Sequence, residues 1–566
     1  MVSKKIEEVH NPIVYMFITL ALSSICYGLY YDFKKLTTFI VGFFFIALIY
    51  YCGINFTCLM SLFFAIGLFI NISYYSIDSD INSSIRIVKR DSYGITASYK
   101  GKKMFLETND NNLIVGEKYN ISGKVDKTQD KSKGIVGKIS PSNITKLEGD
   151  FITDLYRIKN KVYKMLKENL GQRKAGLISS IAFGYSDYLD NEDKEDMKNF
   201  GIIHAISVSG LHVAIVYGFL KKFSGDKVGL LITIIYVIFT GCNYSSIRAF
   251  VMLASLEGSH ILKRNNNSLT ALCLSAMVLI LMKPYSIFEI SLHLSYLATL
   301  GIILFNKKFN RSLYKLPRKL REGLSITLSA QVFTFPYLIL IFKDFSINFI
   351  IGNLLLVPFV DIIVICGNLL PIMYLCPTLF DFCSYINLII LKGFDWSLYK
   401  LNDFSLPMFY GNEYVANFYM FLLISFYFIK KGHKKFIYLP AICIFIISVQ
   451  IYSPIPKITY YNEGALLITY KGDRVLLTNK TNIDLDRLKK STMANISYRN
   501  KKIIKIQDTA SIKESGKDYI LDVGNKKYML RMTSNKTSYL DCDIINFKDG
   551  KINKIIILRD KIVLSI

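Results

Sequence analysis

Two histidines and two serines lie close together in one strongly apolar stretch of the chain. His204 and His212 are eight residues apart. On a continuous helix they would therefore point about 80° away from each other, at roughly 100° per residue. Ser207, Ser209 and Gly210 lie between them and supply two hydroxyl groups and a place where a helix can break. If this stretch lies in a membrane it predicts a functional site, because irregular polar backbone is tolerated there only when it lines a cavity or is buried in protein.

Ionisable side chains occur in other apolar stretches as well: Arg248, Glu257, Glu289, His293 and Asp361. An uncompensated charge inside a membrane is costly, so such residues usually mark a functional path. Glu289 and His293 are four residues apart and can pair on one helical face. The alternative interpretation is that each of these groups only joins neighbouring helices by hydrogen bonds.

The composition indicates which class of protein holds these groups. Of the 566 residues, 52% are hydrophobic, yet Lys and Arg number 69 against 43 Asp and Glu, a net charge of +26. The apolar content argues against a disordered chain, and ten cysteines are too few for a secreted disulfide scaffold of this length. A polytopic membrane protein remains. Two explanations of its excess of basic residues stay open. The residues lie in cytoplasmic loops and orient the spans, or they attract a polyanion, and both can apply together.

The sequence predicts a polytopic α-helical membrane protein with about 13 spans, since a helix needs about 20 apolar residues to cross a bilayer. Three spans lie in the N-terminal region 1–77, at 12–30, 38–50 and 54–76. Ten more form the region 201–452. Their predicted bounds are 201–220, 227–242, 245–262, 268–283, 286–305, 322–343, 347–367, 371–391, 413–429 and 436–452.

Clusters of Lys and Arg fall in four loops that are separated by even numbers of these spans, the spans 347–367 and 371–391 forming a hairpin between the last two. They lie at 221–227, 263–264, 306–321 and 430–435. The positive-inside rule places all of them on the cytoplasmic side. Counting outward from them predicts a cytoplasmic N-terminus and two polar segments, 78–200 and 453–566, on the outer side of the membrane.

The first outer segment predicts a small β-domain at 78–150. Short β-branched runs such as Ile85-Arg86-Ile87-Val88 are separated by turn sequences such as Asn109-Asp110-Asn111-Asn112, a pattern typical of a small sandwich or barrel. Its 13 basic and 10 acidic residues leave a net charge of only +3. Two interpretations stay open, a five-stranded barrel that binds nucleic acid and a plain extracellular β-domain.

The connector 151–200 begins with an amphipathic basic helix. Apolar residues from Phe151 to Leu170 recur at helical spacing, with Arg157 and several lysines between them. Such a helix suits the membrane surface, and packing on its own protein is an equal alternative. The acidic run from Asp187 to Asp196 predicts a solvated loop.

Five ordered segments resemble those of the ComEC family of competence proteins, the DNA-uptake channels of the bacterial inner membrane. The first runs from Ala182-Phe183-Gly184 through Phe200-Gly201 and His204 to Ser209-Gly210-Leu211-His212-Val213. The other four are Ser246-Ile247-Arg248-Ala249-Phe250-Val251-Met252, Lys283-Pro284 with Leu294-Ser295-Tyr296, Ser329-Ala330-Gln331 with Pro336, and Asn353-Leu354-Leu355-Leu356-Val357-Pro358. The resemblance covers residues 175–450.

The resemblance implies uptake of single-stranded DNA in natural transformation, through a channel that is not an enzyme and needs no cofactor. It also implies that 78–150 is an extracellular OB-like barrel. A phosphate chain crossing hydrocarbon needs a hydrated or cationic path, and a sparse set of charges lets the chain move on. The residues placed along this path are His204, Ser207, Ser209, Gly210, His212, Arg248 and Gln331. The supporting polar residues are Glu257, Glu289, His293 and Asn353.

The chain departs from the family in two places. His293 stands where the family has Gln. Many members also end in a metallo-β-lactamase-like domain, but residues 453–566 contain no histidine, so a histidine-rich metal site cannot be built there. We expect a truncated, strand-rich, nuclease-dead remnant of that domain, either with a basic surface for DNA or with no task.

Other signals bear on partners and rival functions. No Gly-x-x-x-x-Gly-Lys-[Ser/Thr] motif occurs, so the energy for transport must come from elsewhere. The resemblance implies a cytoplasmic helicase-type ATPase, an extracellular DNA receptor and membrane lipid as partners, and a homo-oligomer stays open. One rival is an intramembrane hydrolase that uses Ser209, or that binds zinc through His204, His212 and Glu257. The other rival is a transporter of a different solute.

Overall fold

The computed structural model describes residues 11–565, apart from 31, 92–93, 109–112, 264, 482, 508–509, 517, 525, 533–541, 548–551 and 559–560. The start of the predicted N-terminal region, the predicted turn at 109–112, Arg264 of one basic cluster and parts of the predicted tail domain therefore lie outside the described residues. The chain forms two compact units. The first comprises 1–333 and 348–406, and the second comprises 334–347 and 407–566.

The first unit begins with three apolar helices. They are α1 (Pro12–Leu29), α2 (Lys34–Cys52) and α3 (Ile54–Tyr75). On α2, Phe39, Phe43 and Tyr50 are 72%, 66% and 77% exposed. Apolar exposure on this scale marks a surface that faces lipid or another apolar partner.

A closed five-stranded barrel follows α3. Its strands are β1 (Asp80–Asp91), β2 (Gly94–Tyr99), β3 (Lys102–Leu106), β4 (Lys118–Asp126) and β5 (Ile135–Lys146). They pair in the order β1-β2-β3-β5-β4, and β1 pairs with β4 to close the barrel. Alternate residues point inward, so that Ala97, Met104 and Ile121 fill the interior. The predicted small β-barrel is confirmed.

Three helices connect the barrel to the rest of the unit: α4 (Phe151–Leu170), α5 (Gln172–Phe183) and α6 (Asn191–Asn199). The apolar face of α4 packs on the protein itself, with Val162 and Leu166 in the same core cluster as residues of α5. The predicted solvated loop at 187–196 was wrong in its second half. Asp190 caps α6, and Asp193 is buried in an ion pair with Arg173, so these acids stabilise a helix.

Seven further helices complete the first unit. They are α7 (Gly210–Phe239), α8 (Tyr244–Ile261), α9 (Ser268–Met282), α10 (Ile290–Ser312), α11 (Arg318–Ile341, which ends in the second unit), α12 (Phe349–Met373) and α13 (Pro377–Asn402). Among the described residues, seven helices are long and apolar enough to cross a membrane: α1, α2, α3, α10, α11, α12 and Lys434–Ile451. The shorter α9 is also apolar. The chain is a membrane protein with a β-domain, and its number of spans stays a prediction.

Helix α7 is broken near its middle. Gly225 has φ 79°, which is outside the helical range. A methyl group at Gly229 would lie 3.1 Å from the backbone nitrogen of Lys221. Eight residues along an unbroken helix would separate these positions by about 12 Å, so the chain folds back here. The two halves correspond to two predicted spans joined by the basic cluster 221–227.

The first of these two spans does not begin at residue 201 as predicted. Residues 200–209 form an irregular segment with a single 3₁₀ turn, Ile203–Ala205. Gly201 has φ 67°, and a methyl group there would lie 2.6 Å from Cβ of Phe349. The left-handed backbone and this close approach explain why glycine stands at 201 and why the helix starts later.

The second unit is rich in strands, as expected for the tail. Besides helices α14 (Glu413–Lys430), α15 (Leu439–Ile451) and α16 (Leu485–Thr492) and the short pair β6 (Asp344–Phe345) and β7 (Phe409–Tyr410), it has two larger sheets. One contains β8 (Lys457–Tyr461), β9 (Ala465–Tyr470), β10 (Asp473–Thr478), β11 (Ile496–Arg499), β17 (Lys554–Leu558) and β18 (Lys561–Ser565). The other contains β12 (Ile503–Gln507), β13 (Ala510–Ser515), β14 (Asp518–Val523), β15 (Lys526–Arg531) and β16 (Asp543–Asn546). Buried side chains from both sheets, among them Ile458 and Leu521, share one core.

Candidate functional site

The irregular segment 200–209 is held by hydroxyl groups from two helices. Ser180 Oγ on α5 donates to the carbonyl oxygen of Ile206 at 2.9 Å. Ser245 Oγ on α8 donates to the carbonyl oxygen of Val208 at 2.8 Å. These bonds supply partners that a helix would otherwise provide, and this is the condition under which irregular backbone is stable at membrane depth.

The same segment leaves two of the predicted polar side chains at the surface of the chain. His204 and Ser207 are both exposed, whereas Ile202, Ala205 and Val208 around them are buried. The buried residues fix the backbone, so the exposed imidazole and hydroxyl group sit on a rigid support. These are the groups of the segment that a passing ligand can reach.

Ser209 and His212 each accept a hydrogen bond from the other's backbone N–H at the start of α7. Ser209 Oγ accepts from the backbone N–H of His212 at 3.4 Å, and Nδ1 of His212 accepts from the backbone N–H of Ser209 at 3.3 Å. This reciprocal pair is a capping box. The imidazole of His212 is buried and bonds to backbone rather than to the Ser209 hydroxyl, so this geometry does not form a nucleophile and base.

Arg248 reaches from α8 to the N-terminus of α7. A methyl group at Gly210 would lie 2.2 Å from Nη2 of Arg248, so the guanidinium packs directly against the backbone at Gly210. Nη1 donates to the carbonyl oxygen of Ser295 and to Oγ1 of Thr299, both on α10. Nε has no hydrogen-bond partner among the described residues. The guanidinium and the helix N-terminus both favour negative charge, so together they form a place where an anion can bind.

Glu257 lies near the opposite end of α8. Its carboxylate accepts a hydrogen bond from the Tyr217 hydroxyl group at 2.7 Å and one from Lys221 Nζ at 3.0 Å. Both partners belong to α7, and Glu257 is buried. The carboxylate therefore joins two helices, as the alternative interpretation of the ionisable residues expected.

Glu289 and His293 lie at the start of α10. Glu289 forms an ion pair with Lys103 of the barrel at 3.2 Å, and Lys103 Nζ also lies 4.2 Å from the ring centroid of Tyr285. His293 Nε2 lies 2.7 Å from the carbonyl oxygen of Ile287. These contacts connect the barrel to the helices within the first unit.

Asn353 and Gln331 occupy different surroundings. Asn353 belongs to a single π-helical turn of α12, Gly352–Leu356, and a methyl group at Gly352 would lie 2.2 Å from the carbonyl oxygen of Phe200. That turn therefore touches the start of the irregular segment, and such turns often mark functional sites. Gln331 is half-buried on α11, two residues after Ser329, whose carbonyl oxygen packs closely on Gly301 of α10.

Four hydroxyl side chains position this site and were not among the predicted site residues. Ser180 and Ser245 hold the irregular segment, and Ser295 and Thr299 orient Arg248. Each is a hydroxyl residue inside an apolar helix. That pattern is the signal that could have found them, because a buried hydroxyl group needs a partner.

Two carboxylates join the barrel to α4, outside the membrane-spanning helices. Burial raises the pKa of Asp150, but hydrogen bonds from Lys118, the Thr153 backbone and Arg86 outweigh it and hold the pKa well below its usual range. A hydrogen bond from Arg157 lowers the pKa of Glu117 against the opposing effect of burial. Both groups are therefore ionised wherever the barrel is docked on α4 at neutral pH.

Comparison with known protein families identifies the helical region. The family model described as competence protein matches residues 181–432. Residues 181–432 are therefore similar to the competence protein family. The matched region contains the irregular segment, Arg248 and Gln331, so the candidate site lies in the part of the chain that resembles the family.

Two relatives extend this comparison. The chain is 28% identical over 209 residues to ComE operon protein 3 of Bacillus subtilis (strain 168), a match that covers 35% of this chain and 26% of the relative. It is 26% identical over 316 residues to an uncharacterized protein of Aquifex aeolicus (strain VF5), covering 52% of this chain and 73% of the relative. The chain therefore spans about a quarter of the length of the Bacillus protein in that match. No solved structure matches the chain.

Proposed function

We propose that the chain is a channel for single-stranded DNA in the bacterial cell (inner) membrane and acts in natural transformation. The similarity of residues 181–432 to the competence protein family supports a role in DNA uptake. Transport rather than catalysis is favoured because Ser209 serves as a helix cap and Glu257 is bonded by Tyr217 and Lys221. The hydrolase and zinc alternatives would need these groups for chemistry.

The observation that carries the proposal is the place of Arg248. Its guanidinium lies against the N-terminus of α7, beside a segment whose His204 and Ser207 side chains are exposed. A phosphodiester needs donors and positive charge, and a single half-buried Arg supplies both without holding the strand tightly. His204, Ser207 and Arg248 would contact the strand, whereas Ser209, Gly210 and His212 would shape the segment.

The arrangement in the membrane is part of the proposal. About 13 spans, needing about 20 residues each, would place the N-terminus in the cytoplasm and both β-rich parts outside. The barrel at 78–150 would receive the strand first. Gln331, Asn353, Glu289 and His293 would then line or support the path, and a helicase-type ATPase would pull the strand from the cytoplasm after an extracellular receptor delivers it.

The tail at 453–566 is proposed to be a remnant of a metallo-β-lactamase-like domain without nuclease activity. It has no histidine, and among its described residues no cluster of three metal-binding side chains occurs. Deletion of 457–566 is expected to leave DNA passage measurable, because the candidate site lies wholly in the first unit.

The test is passage of fluorescent single-stranded DNA into vesicles that contain the purified chain, under an applied membrane potential. Arg248→Gln is expected to lower the rate at least about tenfold, which corresponds to losing about 1.4 kcal/mol of interaction. Arg318→Gln is the matched control, because Arg318 is an exposed cation paired only with its helical neighbour Glu322. No passage by the parent chain, or equal passage by both variants, would overturn the proposal.

A further inference from the structure

An open cavity of about 240 Å³ lies beside α6 and the C-terminal part of α13, away from Arg248. It is lined by Arg173, Asp196, Phe200, Asp395, Leu398, Tyr399 and Asn402. The polar groups are one guanidinium, two carboxylates and an amide, and the rest of the wall is aromatic or aliphatic. A cavity of this make-up fits a ligand that carries both charges and an apolar part.

The guanidinium of this cavity is fixed in place. Arg173 donates to Oδ1 of Asp193 from Nε at 3.0 Å and from Nη2 at 2.6 Å, and Nη2 lies 3.3 Å from Oδ1 of Asp395. Asp193 is only 2% exposed. Nη1 makes no hydrogen bond to the residues that the structure describes, although the side chain is 46% exposed. Arg173 therefore keeps donors for one more acceptor.

The carboxylates of the cavity favour a cation. Asp196 and Asp395 line it together with a single Arg, and Asp193 stands directly behind that Arg. Burial, helped by Asp193, raises the pKa of Asp196, the sign of a carboxylate that lacks enough positive charge nearby. An ammonium group placed between Asp196 and Asp395 would supply that charge.

Large exposed aromatic residues place the cavity at the depth of lipid headgroups. Trp396 and Phe404 are 64% and 77% exposed, and Tyr399, which lines the cavity, is 70% exposed. Trp and Tyr concentrate where a membrane meets water, so this end of α13 fits the interface. The apolar wall at Leu398 and Tyr399 would face the first carbons of an acyl chain.

We propose that this cavity binds the headgroup of a phospholipid that carries both a phosphate and a primary ammonium. The phosphate accepts hydrogen bonds from Nη1 of Arg173, and the ammonium lies between the carboxylates of Asp196 and Asp395. An anionic lipid would meet the two carboxylates without a compensating group. A quaternary ammonium cannot donate hydrogen bonds to them. A DNA strand would bring a second phosphate against the same carboxylates and is disfavoured.

The chain contains one tryptophan, Trp396, next to Asp395 in sequence, and it reports on this cavity. The full-length protein is placed in phosphatidylcholine vesicles that contain increasing fractions of brominated phosphatidylethanolamine, phosphatidylglycerol or phosphatidylcholine, matched between the three series. Bromine quenches tryptophan fluorescence at contact. We expect quenching at a two- to threefold lower fraction of the brominated ethanolamine lipid than of the other two, and Asp395→Asn should remove this preference.

Asp381→Asn is the matched control, because Asp381 lies on the same helix and bonds Asn169 outside the cavity. It should keep the preference. Equal quenching by all three lipids, preference for phosphatidylglycerol, or an unchanged preference in Asp395→Asn would overturn the proposal. So would displacement of the lipid by soluble glycerophosphoethanolamine or by a single-stranded oligonucleotide at micromolar concentration, since either result would assign the cavity to a soluble ligand.

Discussion

The two ends of helix α8 both carry a charged residue, and their surroundings differ. Glu257 is buried and accepts hydrogen bonds from Tyr217 and Lys221. Arg248 is half-buried, and its Nη2 lies against Gly210 at the N-terminus of α7, while its Nε is buried without a partner among the described residues. A charge whose bonds are complete joins helices, whereas a cation beside a helix N-terminus and exposed polar groups has capacity for an anionic ligand.

The comparison also separates two kinds of polar residue within the irregular segment. Ser209 has its hydroxyl group engaged by the backbone of His212, and Ser207 is exposed. Both are serines in one predicted pathway, yet only Ser207 is open to a strand. Position in the hydrogen-bond network therefore distinguishes residues that residue type alone treats as equal.

The largest expected effect is on stability, at the satisfied end of α8. Glu257→Ala removes a buried carboxylate and leaves the Tyr217 hydroxyl group without its acceptor, while Lys221 keeps its ion pair with Asp226 at 2.9 Å. We expect a loss of about 2 kcal/mol in the free energy of unfolding, as for other buried polar groups that lose a hydrogen-bond partner. Thermal unfolding in detergent measures this loss of stability, and Glu322→Ala is the control at an exposed carboxylate. The rate of DNA passage per folded molecule should stay unchanged in Glu257→Ala. A loss of passage without a loss of stability would show that Glu257 belongs to the path.

The next largest effect is on the rate of DNA passage and concerns Arg248, at the other end of α8. Arg248→Lys keeps the positive charge but loses the planar fork that bonds Ser295 and Thr299. Passage of single-stranded DNA should fall by about threefold, between the parent and the tenfold effect expected of Arg248→Gln. If Lys and Gln give the same rate, positive charge is not what the strand requires, and the contrast between the two ends of α8 would fail.

A smaller effect distinguishes the two serines. Ser209→Ala removes an N-cap and should lower the free energy of unfolding by about 1 kcal/mol without changing passage per folded molecule. Ser207→Ala should leave stability unchanged and slow passage about twofold, near the lower limit of what one neutral hydrogen bond contributes. The free energy of unfolding and the rate of DNA passage are measured on both variants. Slower passage in Ser209→Ala and lower stability in Ser207→Ala would place Ser209, rather than Ser207, on the pathway.

Much of the helical framework could be predicted from apolar run length. The spans predicted at 268–283 and 413–429 correspond to α9, Ser268–Met282, and α14, Glu413–Lys430. Residues 201–209 were predicted as helix because they are apolar, but Gly201 and the cap at Ser209 delay the start of α7. The local sequence pattern cannot predict the tertiary contact between Gly201 and Phe349 that fixes this loop.

The contact between Arg248 and Gly210 could not be predicted from the sequence for the same reason. Both residues were placed on the path, but no spacing rule joins positions on two different helices. The acidic residues of α6 and of the turn before it are predicted to be solvated because their composition is polar. Asp193 is instead buried by Arg173, a partner twenty residues earlier in the chain. Composition predicts exposure on average and cannot predict one buried ion pair.

The smallest expected effect extends the comparison to a satisfied carboxylate outside the membrane. Glu117 is bonded by Arg157, and its pKa is lowered. A lowered folded-state pKa stabilises the fold above the unfolded value of about 4.3, and this contribution disappears as the pH falls through the folded-state value. Glu117→Gln should therefore lower the melting temperature at pH 7, and this effect should shrink at an acidic pH below the unfolded-state value, whereas Glu107→Gln, whose ion pair with Lys138 is exposed and 3.6 Å long, should change little at either pH. Melting curves of the full chain at both pH values test this, and a Glu117→Gln deficit that persists in acid would mean that the side chain acts through packing rather than charge.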